Sequence, residues 1–581
     1  MSPREFENLW IYPTINSEWT EAITKEFRLH PVIAQVLTSR KFSSLEDIHG
    51  YLYSKLPDLH DPTIFADMGK AVKRVCKAIV EKENILIYGD NDVDGMTGTA
   101  LLTEFLSYLG ANVFFFVPDS DAIRQEMIVN ALGYALRTEC SLMITVDCGI
   151  TAAASIDTIA EHNIDVIITD HHEPTNKIPN CVATLNPKLL NSKYPNKELT
   201  GVGVAFKLAH GVTNSLVAAG AIGKRRVDLK QYLDLVALGT ISDMGALIGE
   251  NRILVRYGIK QINKGIRVGL TKLFEVCGLN ITETSSNDIA SKVTPRLNSL
   301  GRIADPRKGV ELLLMRENTP DAEAHNMALD FDVLNTERQK IERLVQEEAE
   351  AMLLGDPKIF DDKAIVLYSK NWHPGVIAIS TTRITKQYNR PTVMITVKNG
   401  IGKGSIRSIQ EFPLLDALKE SSDLLLSFGG HNYAAGITIK EENIAKFKKN
   451  FLVAANKVLK DHDVTSKLHI DAPITFKDLT FDFMDSLSLL SPYGNGNPQP
   501  ILYCDAKQVW FPKVISKKHL KFYLSQDDRT LEGIAFGMAD RAESLRKKGL
   551  LLRIAFTPQI NTFHNKSSIQ LLIRDFKILN E

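Results

Sequence analysis

Residues 85–95 of this 581-residue chain, Ile85-Leu86-Ile87-Tyr88-Gly89-Asp90-Asn91-Asp92-Val93-Asp94-Gly95, restrict its fold more than any other stretch. The apolar run is too short for a helix of its own. It reads as a buried strand whose polar end is the carboxyl edge of a sheet. After it, Leu101, Leu102, Phe105, Leu106 and Leu109 keep helical spacing. Asp90, Asp92 and Asp94 therefore occupy a strand-to-helix turn, where open α/β sheets place ligands. Three carboxylates this close repel one another unless a cation neutralises them, so a divalent metal site is expected. An EF-hand loop fails, because its twelfth position needs Glu and holds Leu101, and because a strand rather than a helix precedes it. A solvated acidic turn is the competing reading of this stretch alone.

Further apolar runs, Val113–Val117, Leu142–Val146, Val166–Thr169 and Val182–Leu185, alternate with helical patterns. That alternation predicts a parallel sheet covered on both faces. Their ends carry the chemistry: Val146-Asp147-Cys148-Gly149, Thr169-Asp170-His171-His172-Glu173-Pro174 and, later, Leu235 to Met244 with Asp243. One such Asp is ordinarily a helix N-cap. Several at the ends of separate runs, which a parallel sheet gathers at one edge, point to a metal centre. Carboxylates with one or two imidazoles and no thiolate suit manganese or magnesium. Two ions, about 3.5–4 Å apart, fit so many carboxylates and would serve an in-line phosphoryl displacement.

Lys plus Arg and Asp plus Glu both total 69, so no global field draws the chain to nucleic acid and any such binding needs local patches. The six cysteines show no CxxC pair and are expected to be reduced and mostly buried in a cytoplasmic protein. The start, MSPREFENLW, lacks a signal-peptide core, and no apolar run approaches a membrane span, so no membrane association is expected.

Residues 1–80 read as a helical segment. Pro320 to Leu354 is a long amphipathic helix, with Met327, Phe331, Leu334, Ile341, Val345 and Met352 near heptad spacing. Beyond about 460 short strands follow, at Ile501–Cys504, Val509–Phe511, Leu520–Leu524, Leu531–Phe536, Leu551–Thr557 and Ser568–Ile573, as in a small barrel.

GDNDVDG, VDCG and DHHEP, in this order, resemble the DHH phosphoesterases, and LTGVGVAFKL, ALGTISDM, GENRILV, PRLNSLGR, WHPGVIAI, GKGSIRS, FGGHNYAAG and YGNGNPQP resemble the long members of that family. The resemblance covers the chain from about residue 45 onward. It implies an α/β fold: a DHH-type parallel-sheet catalytic domain (81–318), a connecting helix (319–355), a DHH-associated α/β domain (356–458) and an OB-fold β-barrel (459–581). It implies metal ligands at Asp90, Asp92, Asp94, Asp147, His171 and Asp243, with Asp147, His172 and Asp170 in the catalytic group. His172 would face the scissile phosphate and Asp170 would orient its neighbours. It further implies DNA or phosphate contacts at Arg296, Asn298, Arg302, Ser405, Arg407, Gly429, Gly430 and His431. In the barrel, Lys513, Lys517, Lys518, Lys521 and Phe522 would supply the basic and aromatic mixture that grips single strands, although a solvated face is the plain alternative for any lysine cluster.

One departure stands out. The long members carry an arginine and then GYG after the second strand, where this chain has Ser120 and then Arg124-Gln125-Glu126. Recognition of a 5′ phosphate is thereby in question. The function implied is a manganese- or magnesium-dependent 5′→3′ exonuclease on single-stranded DNA, acting in recombination and repair. Single-strand binding protein and recombination helicases are the partners the resemblance suggests. The alternatives are a phosphodiesterase for short oligonucleotides or cyclic dinucleotides, and a catalytically impaired DNA-binding scaffold.

Overall fold

The apolar runs of the first half pair in the order Asn112–Phe116, Asn84–Gly89, Cys140–Val146, Asp165–Thr169, Ala183–Leu185, and every pairing is parallel. Both faces are buried. Ile85, Ile87, Leu142, Ile144 and Ile167 pack beneath residues of Val93–Tyr108, Gly201–Ala218 and Leu233–Ser242. Leu86, Tyr88, Met143, Val166 and Ile168 pack with residues of Arg124–Arg137 and Ala153–Ala160. Burial on both faces is why these strands read as unbroken apolar runs rather than alternating ones. From Asn84–Gly89 the chain first adds a strand on one side, then crosses to Cys140–Val146 on the other. The carboxyl ends of those two strands form a topological switch point.

The structure, a computed structural model, describes residues 8–40, 42–118, 124–223, 227–547, 549–563 and 566–579. The chain divides into two compact units. One comprises Glu46–Glu337 with Leu490–Pro498, and the other Met1–Leu45 with Arg338–Leu489 and Gln499–Glu581. The long helix, Asp321–Gly355, supplies residues to both.

In the second unit a mixed sheet runs in the order Leu425–His431, Ala434–Lys440, Ile401–Arg407, Thr392–Lys398, Ile365–Ser369. A further sheet closes into a barrel, because Leu502–Gln508 pairs with Leu551–Phe563 on one side and with His519–Gln526 on the other. Cross-pairing of this kind removes free sheet edges, as in OB folds.

Four sequence expectations are corrected. The run Leu235–Ile241 is not a strand: Leu233–Ser242 is a helix, enclosed by other helices and buried along Leu233–Ile241. A helix buried all round has no polar face, so its sequence cannot be told from a buried strand by period. Val509–Phe511 lies between the strands Leu502–Gln508 and Lys513–Ile515, with Trp510 63% and Phe511 50% exposed. The N-terminal residues are not only helical, since Leu9–Ile11 forms a strand parallel to Lys467–His469. All six cysteines are free, but only Cys140 and Cys504 are buried and the other four are half-buried. No helix among the described residues is long and apolar enough to cross a membrane.

Candidate metal centre

The strand ladders run one residue past the strand ends. The Asp90 N–H donates to Val146 O at 3.1 Å, Asp147 to Thr169 O at 2.9 Å and Asp170 to Leu185 O at 3.1 Å. Each acid therefore stands at the carboxyl edge of the sheet, in line with its neighbour. Asp147 adopts a left-handed backbone (φ 61°), which a non-glycine residue holds only where its surroundings impose it. Those surroundings include Gly201, where an added Cβ would lie 2.5 Å from Asp147 Cβ.

Helix ends bring the remaining groups. Asp92 caps Val93–Tyr108 by accepting the Asp94 and Gly95 N–H groups at 3.0 and 3.1 Å. Asp94, buried, accepts the N–H groups of Gly201 and Val202 at 2.6 and 2.9 Å, at the start of Gly201–Ala218. Asp243 ends the helix Leu233–Ser242. His171 Nε2 lies 3.0 Å from Asp147 Oδ1, 3.6 Å from Asp243 Oδ2 and 3.9 Å from Asp94 Oδ2.

Two groups of candidate ligand atoms result, Asp147/His171/His172 and Asp94/His171/Asp243, each within 4.8 Å and sharing His171. Burial and then the neighbouring carboxylates push Asp94 up to about 7 and Asp243 up to about 9. Asp147 is raised well above the ordinary carboxylate range for the same two reasons, the neighbours being Asp94, Asp92, Asp243 and Asp90. Its Oδ1 is buried and accepts no hydrogen bond from the described residues. Crowded acids that cannot all ionise, with an imidazole nitrogen converging on the same buried oxygen, fit a divalent cation. The donors are oxygen and imidazole nitrogen, which suit manganese or magnesium.

Asp170 differs. Its Oδ1 accepts His171 N, His172 N and His172 Nδ1 at 2.7, 3.0 and 2.8 Å, and its Oδ2 accepts Ile150 N at 2.9 Å. Burial raises its pKa, but the His172 hydrogen bond and charge outweigh that and bring it down to about 2. It stays ionised and orients the turn rather than joining the crowded cluster. Two residues that the sequence reading passed over extend this turn. Asn186, buried, donates to His172 O at 2.9 Å and accepts the Lys188 N–H at 2.7 Å. Lys188 reaches Glu173 and lowers the pKa of Asp243 by its charge. Their only signal was position, just beyond the last strand of the sheet.

The other expected contacts fall in separate places. In PRLNSLGR, on the helix Thr294–Ile303, an added Cβ at Gly301 would meet Asn91 O at 2.0 Å, so this helix lies against the Asp90–Asp92 turn. Arg296 is engaged with Asp332 at 2.7 Å and Lys292 O at 2.6 Å, while Asn298 and Arg302 are half-buried. In the second unit, pairing aligns Gly429 with Gly436 and Ser405, and His431 with Ala434 and Arg407. Ser405, Arg407 and the glycine-rich strand carrying Gly430 thus form one patch. Burial lowers the Arg407 pKa, and among the described residues no carboxylate pairs with it; its Nη1 donates to Ser405 Oγ at 3.3 Å and Ile406 O at 2.9 Å. A guanidinium in that state suits an anion.

On the barrel, Lys517 and Lys518 are exposed, while Lys521 pairs with Glu532 at 2.7 Å. Phe522, the aromatic expected to stack on bases, is instead buried in the barrel core, and the exposed aromatics of the same domain are Trp510, Phe511, Tyr523 and Phe536. Ser120 lies outside the described residues, as do the side chains of Arg124, Gln125 and Glu126.

An acid- and imidazole-lined switch point, followed by a mixed-sheet domain and a closed barrel, has the architecture of a DHH phosphoesterase. Family models match in the same order: the DHH family N-terminal domain over residues 84–240, the DHHA1 domain over 361–460 and the RecJ OB domain over 470–575. The single-stranded-DNA-specific exonuclease RecJ of Bacillus subtilis is 32% identical over 570 residues, covering 97% of this chain and 70% of that protein. The crystal structure of Thermus thermophilus RecJ with Mn2+ superimposes with a TM-score of 0.82 at 28% identity, over 99% of this chain and 80% of that one. Its Mg2+ complex gives 0.74 at 26% identity, over 98% and 78%. The chain belongs to the RecJ family.

Proposed function

We propose that this protein is a single-stranded-DNA-specific exonuclease that hydrolyses phosphodiester bonds from the 5′ end in recombination and repair. The observation that carries this reading is the Asp94/Asp147/His171/Asp243 cluster, in which buried Asp94 and Asp147 meet half-buried His171 and Asp243 with more negative charge than the group can hold alone. Manganese or magnesium, bound by these residues with Asp90 and Asp92, would supply Lewis-acid stabilisation of the phosphate and an activated water. Two ions suit the two overlapping ligand groups.

The chain's own groups supply orientation. Ionised Asp170 accepts a hydrogen bond from His172 Nδ1–H, which leaves Nε2 as the basic nitrogen and sets the plane of the ring that would face the substrate. The helix start at Gly201 and Val202 fixes the Asp94 carboxylate. Arg407 and Ser405, beside Gly429, Gly430 and His431, are assigned to a terminal phosphate, and Lys517 and Lys518 with the exposed aromatics to the strand. Asn298 and Arg302 are assigned to DNA near the metal turn. Cytoplasmic location, and single-strand binding protein and recombination helicases as partners, are part of the same reading.

The test is Mn2+-dependent digestion of end-labelled single-stranded DNA with 5′-phosphate, 5′-hydroxyl and blocked 5′ ends. Stepwise loss from the 5′ end is expected. Binding without cleavage would overturn the reading.

A further inference from the structure

The motif YGNGNPQP has no role in the reading above. Most of it lies in Leu490–Pro498, which belongs to the same compact unit as the metal cluster although the chain on either side belongs to the other. The segment is a small self-closed loop. Asn497 Nδ2 donates to Leu490 O and Pro492 O at 2.9 and 2.7 Å, and Gly494 and Asn497 exchange backbone hydrogen bonds at 2.9 and 3.1 Å. Catalytic-unit residues hold its base: Arg252 Nη1 donates to Leu490 O at 3.0 Å, Tyr51 OH to Asn497 Oδ1 at 2.8 Å and Ser286 Oγ to Tyr493 O at 2.7 Å.

Its tip grips the chain just after Asp243. Asn495 Nδ2 donates to Met244 O at 2.8 Å, and Asn495 O accepts the Leu247 N–H at 2.7 Å. Gly494 is close-packed there, since an added Cβ would come 2.7 Å from Leu247 Cδ1. Met244 has a left-handed backbone (φ 58°) and is 66% exposed, so little packing holds it. Before Asp243 the helix fixes the chain, through Asp243 N donating to Gly239 O at 2.9 Å. After Asp243, the Met244 N–H donates to Ile241 O at 3.2 Å and the Gly245 N–H to Thr240 O at 2.9 Å, and the two hydrogen bonds of Asn495 tie this turn to the 490–498 loop.

We propose that Asn495 is a positioning residue for the metal centre: it holds the 244–247 turn and thereby sets the Asp243 carboxylate opposite His171. The proposal rests on the reading that Asp243 ligates metal. A residue that orients a ligand typically changes metal affinity by about ten- to a hundredfold. Asn495 is itself exposed, so replacing it leaves the core intact.

The test uses the full chain free of DNA, with Asn495→Ala, Asn495→Asp and Asp243→Asn. Mn2+ affinity is measured by calorimetric titration. Single-strand affinity and the thermal melt are measured in EDTA. Asn495→Ala should weaken Mn2+ binding about tenfold, with the EDTA melt and EDTA DNA affinity at parent values. Asn495→Asp, which cannot donate to Met244 O, should weaken it at least as much. Mn2+ affinity equal to the parent in both Asn495 variants, with Asp243→Asn weakened, overturns the proposal and keeps Asp243 as a ligand. Parent affinity in Asp243→Asn removes the metal role of Asp243 and the proposal with it. A loss of Mn2+ affinity that follows a lowered EDTA melt also overturns it, since Asn495 would then be only structural.

Discussion

Asp94 Oδ2 accepts the Gly201 N–H at 2.6 Å, so one carboxylate of the candidate metal centre also closes the start of the helix Gly201–Ala218. Gly201 itself sits against Asp147, where an added Cβ would come within 2.8 Å of Oδ1. Gly201→Ala should therefore displace Asp147 or the helix end. A cost of about 1–3 kcal/mol in stability is expected for such overpacking, with a loss of nuclease activity larger than that destabilisation explains. Chemical denaturation and initial digestion rates check it, and unchanged activity would show that the contact is slack.

Metal dependence should vary with pH in a defined direction. Folding lifts Asp94 to about 7 and Asp243 to about 9 from an ordinary 3.8. At these two groups the metal-free fold binds more protons than the unfolded chain, so their contribution to stability is full below about pH 4 and is lost as pH rises towards 9. Mn2+ removes that penalty. Calorimetry in EDTA and in Mn2+ should show the melting temperatures diverging steadily as pH rises, and a constant gap would contradict the cluster's raised values.

Asp170 should act through His172 rather than on the ions. Asp170→Asn loses the charge that holds His172 Nδ1. Cleavage at saturating Mn2+ should fall about ten- to a hundredfold, while Asp147→Ala abolishes it. If Mn2+ affinity drops as far in Asp170→Asn as in Asp147→Ala, Asp170 is a ligand and its assignment here is wrong.

Arg407 should decide end preference. Among the described residues it has no carboxylate partner, and it lies beside Ser405 on a glycine-lined strand pair. Arg407→Lys keeps the charge but loses bidentate phosphate geometry. The expected outcome is loss of preference for 5′-phosphate over 5′-hydroxyl ends, read from digestion of the two substrates in competition.

The barrel lysines should be unequal. Lys521 is paired with Glu532, whereas Lys517 and Lys518 are exposed. Replacing Lys517 and Lys518 with Ala should weaken single-strand binding and flatten the slope of log affinity against log salt by about 1.4, at roughly 0.7 per phosphate contact. Lys521→Ala alone should do less, and Trp510→Ala should weaken binding without changing the slope, because stacking carries no counterions. Filter binding across a salt series separates these cases.

The sheet and the acids at its edge were legible in the sequence because they are local: short apolar runs, each ending in Asp or His, need only a few residues to declare themselves. The candidate ligand set could be written down for that reason, and the structure gathers Asp147, His171 and His172 in one group and Asp94, His171 and Asp243 in another. Other features depended on chain segments far apart. Asp243 arrives on a helix whose all-round burial erases any period, Leu9–Ile11 finds its partner at Lys467–His469, and the 490–498 loop docks on the turn after Asp243. Trp510 and Phe511 read as part of a strand, yet they stand exposed between strands. Local pattern records what a residue's immediate neighbours require. Which distant backbone groups satisfy a carbonyl or bury a helix is decided only when the chain closes on itself.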